Sequence, residues 1–91
     1  MKTYVVVTEA NTSRGYEVKV SEIGHIHIET ARVEFVEQIN SIKANPKQYF
    51  GYDRPEGLKK EWITDRFCVI RDVFSGDTIN IYIHQIDTPE P

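Results

Sequence analysis

The chain has 91 residues, a length that predicts one domain, and its 40% apolar and 27% charged residues are typical of soluble globular proteins. Eleven Lys and Arg against fourteen Asp and Glu give a formal charge of −3, which argues against a polyanion binder and against an acidic mimic of DNA. One cysteine excludes an internal disulfide and a multi-cysteine zinc site, and no apolar run approaches the ~20 residues of a membrane span.

Side chains branched at Cβ dominate the apolar residues. The chain contains eleven Ile and nine Val, but only one Leu and three Ala. Branched side chains lose rotamer freedom in a helix and fit well on a pleated surface. We therefore expect a core made mostly of β-sheet.

The chain begins with a predicted central strand. Residues 3–8 are apolar at four successive positions, a pattern that is typical of a strand covered on both faces. Residues 9–15 are polar and rich in turn formers, so we expect them to form a connection.

Two alternating segments follow. Residues 16–21 place Tyr16, Val18 and Val20 on one face and polar residues on the other, which predicts a half-buried strand antiparallel to the first. Residues 25–29 alternate in the same way after a glycine and predict a third strand.

Residues 30–45 predict the main helix. Their apolar residues recur every three or four positions, as a helix that packs one face requires: Ala31, Phe35, Val36, Ile39 and Ile42. Thr30 is the expected N-cap, and Pro46 disfavours helical geometry in the residue before it. A strand is the alternative, because residues 31–35 also alternate, but residues 38–43 fit only the helical period.

The second half of the chain predicts a loop and a hairpin. Residues 47–57 contain Gly and Pro and read as an irregular loop. Leu58 and Trp62 are four apart, which predicts one helical turn. Residues 66–74 and 78–86 then form two strands of a hairpin.

The register of this hairpin depends on its turn. The last strand directs Ile79, Ile81 and Ile83 into the core. A two-residue turn at Ser75 and Gly76 would add Cys68 and Ile70 to that face. A three-residue loop would instead add Phe67, Val69 and Val73.

These elements predict an α+β fold. The expected order is three strands, a helix, a loop and two strands, which gives a largely antiparallel sheet of about five strands with one helix packed on a face. A small, partly closed β-barrel is the alternative. Residues 1–86 would form the single domain, and residues 87–91 a frayed tail.

Three histidines form the sharpest local pattern. His25 and His27 would project from one face of the third strand, about 6.5–7 Å apart, and His84 lies on the polar positions of the last strand. Two such imidazoles and a third from a neighbouring strand can bind zinc or a similar divalent metal. The alternative is that the histidines only occupy solvent-facing positions.

An aromatic segment in the predicted loop is the candidate partner-binding site. Three aromatic residues and a cation lie within six positions: Tyr49, Phe50, Tyr52 and Arg54. Such residues are enriched at protein interfaces, and they could also stack on bases. Asp53 and Glu56 interrupt the segment and the net charge is negative, so nucleic acid is the weaker alternative. The same aromatic residues could instead cover one end of the core.

The sequence shows no catalytic constellation. Cys68 is the only thiol and lies in an apolar strand, where a buried, inert cysteine is the usual state. One hairpin register could bring it near His84 as a thiolate–imidazolium pair. The glycines form no phosphate-binding loop, and the carboxylates form no recognisable acid–base pair.

We therefore expect a small non-enzymatic protein-binding or regulatory module. It would act as an inhibitor or accessory protein, of the kind found in phages and bacteria, by occupying a surface of a larger protein. Free strand edges and an uncovered sheet face would also allow a homodimer. Residues 1–7 are too short for the core of a signal peptide, so we expect a cytoplasmic location and no membrane partner.

Overall fold

A computed structural model describes residues 1–51, 57–87 and 89 of the chain. These residues form five strands and two helices along the chain: β1 (Lys2–Thr12), β2 (Gly15–Val20), α1 (Ile28–Ala44), α2 (Pro46–Phe50), β3 (Leu58–Thr64), β4 (Phe67–Asp72) and β5 (Thr78–Asp87). The strands form one open sheet in the order β2-β1-β5-β4-β3, and every neighbouring pair is antiparallel. The structure is thus a small single α+β domain with a five-stranded antiparallel sheet and one main helix, and the sheet does not close into a barrel.

The N-terminal hairpin is longer than the sequence predicts. Residues 9–12 belong to β1 and not to a connection, and β2 pairs with β1 from Thr12 opposite Gly15 to Val7 opposite Val20. Only Ser13 and Arg14 lie in the turn. Polar residues are compatible with this extension because Asn11 is exposed and Thr12 is only half-buried.

The predicted third strand at residues 25–29 is wrong. His25 forms a single bridge with Tyr4, and α1 already begins at Ile28. The alternation of polar and apolar residues indicated a strand. Alternation alone does not show where the following helix begins. His27, and not Thr30, is the N-cap: its carbonyl oxygen accepts hydrogen bonds from the Ala31 amide at 3.3 Å and from the Thr30 hydroxyl at 2.9 Å.

The main helix is confirmed, with small changes at its ends. Ala31, Phe35, Ile39 and Ile42 are buried on one face, whereas Val36 remains 44% exposed. The helix ends at Ala44, before the predicted stop. Pro46 then starts the short helix α2, so the first residues of the predicted loop are helical.

The sheet ends in a strand that the sequence did not predict. Leu58 and Trp62 belong to β3, not to a helical turn. Their spacing of four is also even, so both side chains lie on the same face of a strand. The expected order of three strands, helix, loop and two strands is therefore corrected to two strands, two helices and three strands.

The register of the second hairpin is the one that a two-residue turn predicts, with Cys68 and Ile70 on the core side. Cys68 pairs with Ile81, and Ile70 pairs with Ile79. The turn itself is longer than two residues, since the Asp72 amide donates to the Asp77 carbonyl oxygen at 2.9 Å. Of the predicted tail, Asp87 lies in β5 opposite Lys2, and the remaining residues, except Pro89, lie outside the described part.

The two faces of the sheet have different environments. The helix-facing side carries the core, which α1 and α2 complete with Phe35, Ile39 and Phe50. Helix α1 packs on β1 and β5. Within the described residues, no helix lies on the other side, which we call the open face.

Candidate protein-binding face

The open face is built from alternate residues of β1, β2, β4 and β5. Because side chains alternate along a strand, the residues between the core positions all point to this side. The cross-strand registers place them in rows: Val20, Val7, Tyr82 and Phe67 in one, and Val18, Glu9, Asn80 and Val69 in the next.

The first row is an apolar strip across four strands. Phe67 stacks on Tyr82, with ring centroids 5.7 Å apart and an interplanar angle of 19°. Val7 is only 7% exposed, although no helix among the described residues packs on this side. Val20 is 51% exposed. The strip is therefore packed within itself and still presents apolar surface to solvent.

The sequence predicted the apolar side of β2 correctly but not its environment. Tyr16, Val18 and Val20 do lie on one side, as the alternation indicates, yet Tyr16 is 65% exposed and the two valines about half exposed. A half-buried strand was expected. An exposed, contiguous group of apolar side chains on a small protein marks an interaction surface more often than a scattered one does.

Glu9 anchors two tyrosines on this face. The hydroxyls of Tyr82 and Tyr16 each donate a hydrogen bond to one oxygen of its carboxylate, at 3.0 Å for Tyr16. The hydrogen bond to Glu9 and, secondarily, burial raise the pKa of Tyr82 to about 12. The pKa of Tyr16 is also raised, and the largest cause is its own hydrogen bond to Glu9. One carboxylate on the open face thus holds both tyrosine hydroxyls.

The aromatic segment is divided by the structure. Phe50 is 1% exposed and belongs to the hydrophobic core, and Tyr49 packs partly against that core. Phe50 is therefore not on the surface that a partner would contact. Tyr52 and Arg54 lie outside the described residues.

The three histidines are not brought together. His25 lies on the helix-facing side, where its Nε2 hydrogen-bonds with Glu34 of α1. His27 is at the start of α1, and His84 pairs with Val5 on the open face. One ion could not contact both His25 and His84 because the sheet separates them. In the part of the chain that the structure describes, no group of three or more His, Cys, Asp or Glu side chains could hold a metal ion.

The hydrogen bond between His25 and Glu34 is part of a network that fixes the segment after β2. The Ser21 hydroxyl donates to the Glu34 carboxylate at 2.8 Å and also accepts the Val6 amide at 2.8 Å. The serine therefore contacts the carboxylate and not the imidazole. Activation of a serine as a nucleophile requires contact between its hydroxyl and an imidazole, and Ser21 and His25 do not have this contact.

Cys68 is a core residue. It is fully buried, and burial raises the pKa of its thiol, which keeps the thiol protonated. His84 is on the opposite side of the sheet, so the register that could have paired these two residues does not occur.

A groove is present on the helix-facing side of the sheet. It has a volume of about 400 Å³ and lies between α2 and the β1–β2 hairpin. Its walls include Tyr49, Arg14 and Lys19, but also Glu17. Charges of both signs on an open wall define no particular ligand.

No family model, curated protein or solved structure matches the chain. Neither of the helices in the described residues is long and apolar enough to cross a bilayer. The fold and its surfaces are therefore the basis for a functional proposal. The sequence indicated an uncovered sheet face but not which residues form it, because alternation reports which side chains share a face and not whether another layer covers that face.

Proposed function

We propose that the protein is a small non-enzymatic protein-binding module and that its contact surface is the open face. The observation that carries this proposal is the apolar strip of Val20, Val7, Tyr82 and Phe67, which crosses four strands and has no covering layer among the described residues. Burial of such a strip against a partner releases water from apolar surface, which is the main favourable term in protein association.

The chemistry of the face indicates the kind of partner. The strip is apolar, and the next row of the sheet carries Glu9 between Val18 and Asn80. A matching partner is a protein with a flat apolar patch and a Lys or Arg that reaches Glu9. Because Glu9 already fixes Tyr16 and Tyr82, these rings lose little side-chain freedom on binding.

The test compares two aromatic truncations on opposite sides of the sheet. Phe67→Ser removes a ring from the strip, and Trp62→Ser removes a half-exposed ring from the helix-facing side of β3. Each protein would be immobilised, incubated with an extract of cells that produce it, and the bound proteins quantified by mass spectrometry.

The expected result is a protein that wild type and Trp62→Ser retain and that Phe67→Ser loses. The purified partner should then bind Glu9→Gln more weakly than wild type. Thermal melting of each variant controls for folding. Equal capture by folded Phe67→Ser and Trp62→Ser would refute the assignment of the open face.

A further inference from the structure

Among the described residues, no strand pairs with the outer edge of β2. The Ser21 amide donates to the Val6 carbonyl oxygen at 3.1 Å, which fixes the residues that bond to β1. In an antiparallel pair, hydrogen-bonded and non-hydrogen-bonded residues alternate. Glu17 and Lys19 therefore bond to β1, whereas the N–H and C=O groups of Tyr16, Val18 and Val20 point away from it. All six residues of β2 are exposed.

We propose that this edge pairs with β2 of a second copy of the chain, antiparallel, with Val18 facing Val18 on the two-fold axis. In this register Tyr16 of each copy faces Val20 of the other. These are the residues whose backbone groups point outward, so the pairing forms hydrogen bonds at every available position. An aromatic residue opposite a β-branched one is also a favourable cross-strand pair.

The same register matches the charges. Glu17 of one copy faces Lys19 of the other, and the two-fold axis repeats the pair. These residues form the non-hydrogen-bonded pairs, in which side chains lie closest together. The sequence around Val18 is therefore complementary to itself in charge, size and hydrogen bonding.

The opposite edge of the sheet lacks these properties. Strand β3 carries Lys59, Lys60 and Glu61 in succession, and its pairing with β4 shifts between Trp62 and Thr64. Consecutive charges and a bulge are features that protect an edge from pairing. Strand β2 has neither feature.

Helix α1 leaves room for the second copy. Helix α1 packs over β1 and β5, so β2 extends beyond it. With a spacing of about 4.8 Å between strands, the two α1 helices would be about 19 Å apart, well beyond the 8–10 Å of packed helices. The result is a ten-stranded sheet with both open faces on one side. This pairing does not depend on whether the open face binds another protein.

Sedimentation velocity and charge variants test the pairing. Wild type should change from the 10.6 kDa of one chain to twice that mass as its concentration rises through about 100 μM, which is a weak dissociation constant on the affinity scale of protein complexes. Lys19→Glu places Glu opposite Glu17 twice, and Glu17→Lys places Lys opposite Lys19 twice. Each change should weaken dimerisation at least tenfold, about 1.4 kcal/mol.

Two rescues distinguish the interface from a folding defect. An equimolar mixture of the two single variants should form a heterodimer, because one copy then presents two lysines and the other two glutamates. The double variant Glu17→Lys/Lys19→Glu should recover the homodimer. A wild type that stays monomeric up to about 1 mM, a dimer that Lys19→Glu leaves unchanged, or a failure of both rescues would overturn the proposal.

Hydrogen exchange on the unmutated protein provides a second test. Dimerisation should slow exchange of the Tyr16, Val18 and Val20 amides with rising concentration, while Glu17 and Lys19, already bonded to β1, change little. Protection that does not alternate along β2 would overturn the register. Phe67→Ser, three strands away, should leave the dimer intact, so failure of one proposal can be told from failure of the other.

Discussion

Truncation of Phe50 tests directly whether the aromatic segment belongs to the core. Phe50 is 1% exposed and packs with Phe35 and Ile39 in the cluster beneath the helices. Phe50→Ala removes the ring and leaves a cavity, which costs about 3–5 kcal/mol at a fully buried site. A domain of this size has a free energy of unfolding of about 5–15 kcal/mol, so the variant should lose a large part of its stability.

Urea denaturation followed by circular dichroism measures this loss. We expect the midpoint to fall by at least about 1 M, or the cooperative transition to disappear. Val33→Ala on the solvent side of α1 is the control, since Val33 is 59% exposed and its truncation should change stability by no more than about 0.5 kcal/mol. A Phe50→Ala midpoint within about 0.3 M of wild type, with the same slope, would refute the placement of this ring in the core.

Three further predictions concern a glycine, a tyrosine and a thiol. Gly57→Ala should destabilise the protein by about 1–3 kcal/mol, because the new Cβ would lie 2.6 Å from Asp72 Oδ1 and from the Phe74 ring. Gly24→Ala should be tolerated in the same melting assay, because its Cβ would lie 3.4 Å from the nearest atom. Because the pKa of Tyr82 is raised in the folded protein, the unfolded chain loses this proton first, and stability should fall as pH rises from about 10 to 12. Glu9→Gln should lower the pKa of Tyr82 in an absorbance titration at alkaline pH. An unchanged titration would contradict the hydrogen bond between Tyr82 and Glu9. The buried Cys68 should react with a thiol reagent far more slowly in native protein than in urea, and equal rates would show that it is accessible.

Much of the fold follows from local patterns in the sequence. The excess of Ile and Val predicted a sheet, and the spacing of Ala31, Phe35, Ile39 and Ile42 predicted the buried face of α1. Pro46 set the end of that helix, and alternation placed Tyr16 with Val20. These signals are reliable because the periods of helix and strand are fixed by backbone geometry over a few residues.

The errors occur where a local pattern fits two structures. Residues 25–29 alternate like a strand but lead into a helix, and Leu58 and Trp62 share a face in either conformation. Long-range pairing decided both cases: β3 pairs with β4 along its length, whereas His25 forms only a single bridge with Tyr4.

The sequence alone determined that this protein would be sheet-rich, with one amphipathic helix and alternating strands, because those properties depend on residues close together in the chain. Only the tertiary structure decided that the sheet separates His25 from His84, that Phe50 lies in the core, and which side of the sheet has no helix over it among the described residues. These outcomes depend on which elements pack together across the whole chain, and hydrophobic patterning gives each element a side to bury but does not specify what covers it.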